Sequence, residues 1–321
     1  MLIYAGIDEA GYGPMFGPLC VGATVFVLGD CSPSEGAPEL WSILEHCICK
    51  TRRDAKKRIA INDSKQLKSG SNRKGLFHLE RGVLAFLATM KEHDPCTTDG
   101  EFFRAIGSET TVEPWNKSST SLPYSVDPKE LRIDAAILRR GLTSANVQCE
   151  FLACTSVDAG MYNKRTKHTS KSALNFSIAM QHVNRIIHKF PAEHPRIMID
   201  RHGGRIRYRN DLQLCWPRAR IQVLAETPNF SRYRLDIDGS LCTVTFASKS
   251  DEQHMPVALA SMIAKYTREL IMVRFNSYFI EQIPQLKPTA GYVKDGRRFL
   301  REIEPLLVKK DINRELLVRS S

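Results

Sequence analysis

Two apolar runs lie near the start of the chain. The first, residues 2–7, stops abruptly at two acids, Asp8 and Glu9; the second spans residues 19–28. Between them come Gly11, Gly13, Pro14, Gly17 and Pro18. This pattern predicts strand, Gly/Pro-rich loop, strand. Shorter apolar runs predict further strands at 151–157, 196–200, 221–225 and 241–247, with a polar turn at 236–240. Helical spacing predicts helices at 40–49, 74–91, 128–142, 173–188 and 296–307, and one entered at Met255 with Pro256 in its first turn. Residues 92–150 carry clusters of Pro, Ser, Thr and Asn around the 128–142 helix. We read them as an insertion or small subdomain within a single domain of residues 1–321.

Two adjacent carboxylates at the end of a core strand are costly unless something offsets their charge. A divalent cation would do so; a polar turn beginning Asp-Glu is the alternative. Residues 196–200 repeat the design, with Asp200 ending an apolar run before Arg201, His202, Gly203, Gly204 and Arg205. Two such strand ends side by side would join Asp8, Glu9 and Asp200, although a strand-to-turn Asp is also ordinary. Arg205 could orient a phosphate or pair with an acid. Asp63-Ser64-Lys65 suits a helix cap, and its hydroxyl and ammonium equally suit a phosphate oxygen. Asp251 and His254 are secondary candidates. Lys265 and Glu269 stand at the i,i+4 spacing of an ion pair. Tyr292, in a loop after Gly291, could stack on a ribose or base, or simply pack.

Gly6, Asp8, Glu9, Ala10, Gly11, Tyr12, Gly13, Pro14, Gly17 and Pro18 resemble the first motif of the type 2 ribonucleases H (RNase HII). That motif reads Gly-x-Asp-Glu-Ala-Gly-Arg-Gly-Pro and then Gly-Pro, so Tyr12 replaces an Arg. Asp63, Ser64, Lys65 and Leu67 are similar to the family's Asp-Ser-Lys-x-Leu, and Asp200 falls at a matching strand end. Ala258, Ala260, Ser261, Ala264, Lys265, Arg268 and Glu269 resemble its small-residue helix, which ends in Arg-Asp. The resemblance implies an α/β ribonuclease H-like fold, a central mixed β-sheet flanked by helices. It implies Asp8, Glu9, Asp200 and Glu269 as catalytic ligands of Mg²⁺ or Mn²⁺. It also implies Gly11, Tyr12, Gly13, Ser64, Lys65 and Tyr292 as substrate contacts, to which Arg205 is added on its own place after Asp200. The implied reaction is two-metal hydrolysis of the RNA strand of RNA–DNA hybrids, giving 3′-hydroxyl and 5′-phosphate ends.

Composition agrees with a polyanionic partner. The net charge is +11 and the pI about 9.2, which favours nucleic acid. Nine scattered cysteines without a CxxC pair suggest reduced thiols in a cytoplasm. No apolar run approaches the roughly 20 residues of a membrane span, no secretory signal is legible, and no obligate protein partner is readable. Two other readings stay open: a non-catalytic hybrid- or duplex-binding protein of the same fold, and a structure-specific DNA nuclease.

Overall fold

The computed structural model describes residues 1–31, 36–70, 73–90, 95–201 and 203–320. Lys91, at the end of one expected helix, and His202 lie outside the described residues. In chain order, β1 (Leu2–Ala10) and β2 (Leu19–Leu28) form the opening hairpin, followed by α1 (Leu40–Ile43), β3 (Ile48–Cys49), β4 (Ile59–Ala60), α2 (Ser64–Leu67) and α3 (Phe77–Leu87). Then come α4 (Asp99–Ala105), α5 (Pro128–Ser144), β5 (Val147–Val157), α6 (Ala159–Thr166), α7 (Lys171–Lys189) and β6 (Arg196–Asp200). The chain continues through α8 (Arg209–Cys215), β7 (Arg220–Glu226), β8 (Phe230–Ile237) and β9 (Ser240–Ala247), then α9 (Ser250–Gln253), α10 (Met255–Gln282) and α11 (Val293–Lys309).

The expected central mixed sheet forms, flanked by helices. Its seven strands run in the order β5-β2-β1-β6-β9-β8-β7. β1 and β6 are parallel, as are β6 and β9; the remaining neighbours are antiparallel. β1 reads as an unbroken apolar run because both its faces are covered. Leu2 and Tyr4 join Cys20, Phe26 and Leu28 under α10, while Ile3, Ala5 and Ile7 join Val21, Val25 and the α7 residues Ile178, Val183 and Ile186. Each buried Leu, Ile, Val or Phe among them gains about 1.5–3 kcal/mol from leaving water.

The approach of α10 to the sheet needs missing side chains. A Cβ on Gly6 would lie 2.2 Å from the Pro256 carbonyl carbon, and one on Gly22 2.2 Å from the Ala260 carbonyl oxygen. The Thr24 hydroxyl donates to the Pro256 carbonyl at 2.7 Å. α10 therefore lies almost on the backbone of β1 and β2, and its first half is buried.

Some local expectations change. The helix expected over 40–49 ends at Ile43, because Ile48 and Cys49 pair in parallel with Ile59 and Ala60 and are buried there. The described part of 92–150 is tied to the body by buried charges. Arg274 of α10 donates Nε to Asp99 at 2.6 Å. Glu80 of α3 accepts from the Val126 amide at 2.7 Å and the Tyr266 hydroxyl at 2.6 Å. Among the described residues, no helix is long and apolar enough to cross a membrane.

Candidate active site

β1 and β6 run parallel, so their C-terminal ends emerge at the same edge of the sheet. In open α/β sheets this edge is where ligands bind. Ile7 stands opposite Ile199, and the next residues are Asp8 and Asp200. Side chains alternate along a strand, so Asp8 turns to the α10 face and Glu9 to the α7 face. On the α10 side the Ser261 hydroxyl lies beside Asp8 and lowers its pKa, and it donates to Ser64 Oγ at 3.1 Å. On the α7 side the buried Asn175 amide lies alongside Glu9 and lowers its pKa, but makes no hydrogen bond of ordinary geometry. Asp200 accepts from the Ser250 amide at 3.0 Å. That bond brings α9, and with it Asp251, to the edge.

The charges here are under-compensated. Burial, then Glu9 and Asp200, hold Asp8 well above the usual carboxylate range. Burial pushes Glu9 up to about 7, against the opposing effect of Asn175 and with Asp200 adding to it. Burial, then Asp63 and Asp200, push Asp251 up to about 6. Asp200 is raised as well, chiefly by burial. Lys65 faces this cluster: burial would lower its pKa, but Asp63, Asp8, Asp251 and Glu9 together hold it above the ordinary value. Among the described residues, Lys65 is the ammonium that acts on these acids, and it leaves their pKa values raised.

Hard carboxylate oxygens of this kind suit Mg²⁺ or Mn²⁺, with no need for His or Cys. Among the described residues, no group of three or more His, Cys, Asp or Glu side chains is placed so that it could hold a metal ion. The fit therefore rests on the donor chemistry and the excess charge.

Glu269, expected as the fourth carboxylate, is not brought to this cluster. It follows Ser261 by eight residues, about 12 Å along the helix at 1.5 Å per residue. Its carboxylate meets Lys68 and Lys265 at 2.9 Å each. Burial alone would raise its pKa, but the two ammonium groups lower it. Asp251, a secondary candidate in the sequence, is acted on by Asp63 and Asp200 at this edge.

The other expected contacts are spread around this edge. Ser64 is buried and Lys65 exposed, with Asp63 capping their helix by accepting from the Lys65 amide at 3.0 Å. Tyr12 and Tyr292 are exposed, at 40% and 54%. Their loops are joined, because the Met15 amide donates to the Gly291 carbonyl at 2.8 Å. Arg268 reinforces this joint by donating to the Phe16 and Ala290 carbonyls at 2.8 and 3.1 Å. Gly11 has φ +83°, and a Cβ there would meet the Arg268 side chain at 2.7 Å; Gly13 faces open space. Arg205 is engaged with Asp211 at 3.3 Å.

No protein-family model matches the chain, and no curated protein matches it. Among solved structures it is similar to ribonuclease HII of Archaeoglobus fulgidus, seen in complex with PCNA. The identity is 18% and the TM-score 0.42, covering 99% of this chain and 94% of that one. It is also similar to ribonuclease H2 of Pyrococcus horikoshii OT3, at 14% identity and TM-score 0.39, over 98% and 92% of the two chains. Bst ribonuclease HIII, in complex with Mn²⁺, is 15% identical with TM-score 0.41, over 99% of this chain and 66% of that one. The chain has the central mixed sheet flanked by helices that was expected of it; in sequence it stands far from these proteins.

Proposed function

We propose that this chain is a divalent-metal-dependent endoribonuclease that cuts the RNA strand of RNA–DNA hybrids, leaving 3′-hydroxyl and 5′-phosphate ends. The observation that carries the reading is the gathering of Asp8, Glu9, Asp200 and Asp251 at one sheet edge with too little positive charge to balance them. A protein that only bound nucleic acid would gain nothing from buried acids that repel phosphate.

Asp8, Glu9, Asp200 and Asp251 would hold Mg²⁺ or Mn²⁺. When bound, such ions acidify a water and stabilise the charge that develops on the leaving oxygen. The chain's own residues position the substrate. Lys65 offers its ammonium to the phosphate beside the carboxylates, and the buried Ser64–Ser261 contact holds the start of α2 against α10. The Gly13 backbone lies open for close approach to a sugar. Tyr12 and Tyr292 offer exposed rings from two loops held in fixed relation by the Met15–Gly291 bond.

The test is a cleavage assay on three end-labelled duplexes: an RNA–DNA hybrid, a DNA duplex with one ribonucleotide, and all-DNA. Each is run with Mg²⁺, with Mn²⁺ and with chelator. Cleavage within the hybrid, dependent on metal and absent from all-DNA, is the expected result. Binding of the hybrid without cleavage in either metal would establish the binding-protein reading instead, and cleavage of all-DNA the DNA-nuclease reading.

A further inference from the structure

The sheet continues past the carboxylate edge into β9, β8 and β7, and its open face there is cationic. Arg196 on β6 stands opposite Thr243 on β9, which stands opposite Arg234 on β8. One step along, Met198, Thr245 and Arg232 form the next row. Residues paired across a sheet share a face. Tyr4 opposite Arg196 and Gly6 opposite Met198 continue these rows into β1, so this is the face on which Asp8 and Asp200 project. The opposite face of the same strands is closed, with Tyr233, Leu235, Val244 and Phe246 buried in the second core.

α10 covers the face over β1 and β2, but Arg232 and Arg234 on β8 are exposed. Among the described residues, neither forms an ion pair. Asp236, next on that side of β8, accepts from the Gly239 amide in the turn at 3.0 Å. Arg232 is held in place: its Nε donates to Thr245 Oγ1 at 3.2 Å, and its guanidinium lies 5.1 Å over the Phe230 ring. The positive charges act on one another, since burial, then Arg232 and Arg234, lower the Arg196 pKa. From 196 to 234 the chain has nine arginines, no lysine and three acids. Guanidinium is the group that meets phosphate with a planar, two-pronged donor.

We propose that the face of β6, β9 and β8 bearing Arg196, Arg232 and Arg234 is a second contact for the nucleic-acid duplex, gripping its sugar-phosphate backbone away from the cut. The patch and the carboxylates lie on one continuous face. Arg196 is four residues back from Asp200, about 13 Å, while Arg232 lies two residues back, about 7 Å, and two strands across, about 10 Å. The patch therefore begins roughly 12 Å from the carboxylates. At about 3.4 Å per nucleotide, the phosphates it meets lie some 3–5 positions from the cut, on one side only. This inference rests on the nuclease reading and adds where the rest of the duplex lies.

The experiment compares wild type with an Arg232→Gln/Arg234→Gln variant on two hybrids of equal length. In one the RNA tract lies near the left end of the duplex, in the other near the right, so that the long arm leaves the site in opposite directions. The variant should raise KM about tenfold for one hybrid and less than twofold for the other, with kcat within twofold for both. Anisotropy titrations across a salt series should show the log–log slope for the sensitive hybrid reduced by about 2. Arg232→Lys/Arg234→Lys should recover most of the affinity. An equal loss on both hybrids, or no loss on either, overturns the proposal. If wild type binds but cleaves neither hybrid, the nuclease reading fails, and the anisotropy data still decide this contact by the same comparison.

Discussion

Asp8 and Asp200 stand side by side because Ile7 and Ile199, the residues before them, are partners in the parallel pairing of β1 with β6. The pairing fixes the backbone from which both carboxylates project. Burial, Glu9 and Asp200 therefore all raise the Asp8 pKa, and the fold stores a repulsion that a divalent cation would relieve. Millimolar Mg²⁺ should raise the wild-type Tm by about 5 °C, the shift expected of a ligand near 100 times its Kd on a chain of this size. Asp8→Asn should melt higher than wild type in chelator and respond little to Mg²⁺. A wild-type Tm indifferent to Mg²⁺ and Mn²⁺ would show that the cluster holds no ion.

The closeness of α10 to the sheet is what brings Ser261 to Asp8. Gly22→Ala forces a Cβ to within 2.2 Å of the Ala260 carbonyl oxygen. Backbone must move, at a cost of about 1–3 kcal/mol or more. Urea denaturation should show that loss, and turnover should fall beyond what the loss of folded protein explains, because α10 carries Ser261. Wild-type stability and turnover together would mean that the helix has slack the structure does not show.

His182 on α7 gives a pH dependence away from the carboxylates. It is fully buried, its Nε2 lies 3.1 Å from the Val21 carbonyl oxygen, and burial, then Arg185, lower its pKa to about 4. An unfolded histidine titrates near 6.5. Between those values the unfolded chain binds the proton and the folded one does not, so stability falls as pH drops through that window, by up to about 3 kcal/mol. Above pH 6.5 the effect is absent. Denaturation of wild type and His182→Gln at pH 7.5, 5.5 and 4.5 should show the two curves converging toward acid. Parallel curves would mean that His182 is protonated at its ordinary pH in the folded state.

Much of the architecture was legible because it is local. Long apolar runs ending in acids mark β1 and β6, and placing their ends together needs only that the strands be neighbours. What was not legible depends on distant partners. The Arg268–Glu269 pair resembles a family motif, yet Glu269 faces Lys68, about two hundred residues earlier in the chain, and nothing in a linear pattern reveals that contact. Asp251 is a short-range neighbour of Asp200 only because the Ser250 amide binds it. The helical pattern at 40–49 gave way to pairing between β3 and β4, tertiary context overriding propensity. β8 was not read as a strand of its own. Its alternation of Tyr233 and Leu235 with Arg232 and Arg234 reflects one buried and one open face, and the open face shows its meaning only when set beside β6.

Which acid completes the cluster sets the chemistry at this edge, and one comparison decides it. Asp251→Asn and Glu269→Gln are assayed beside wild type for Mg²⁺-dependent hybrid cleavage, at a temperature where all three are folded. Asp251→Asn should lose at least about a hundredfold in turnover with its Tm kept, since it removes a charge that the ions would need. Glu269→Gln strands the Lys68 and Lys265 ammoniums, so it should lose stability, up to about 3 kcal/mol, while keeping turnover within about threefold of wild type. The opposite result, Glu269→Gln inactive and Asp251→Asn active, would contradict the assignment of the site.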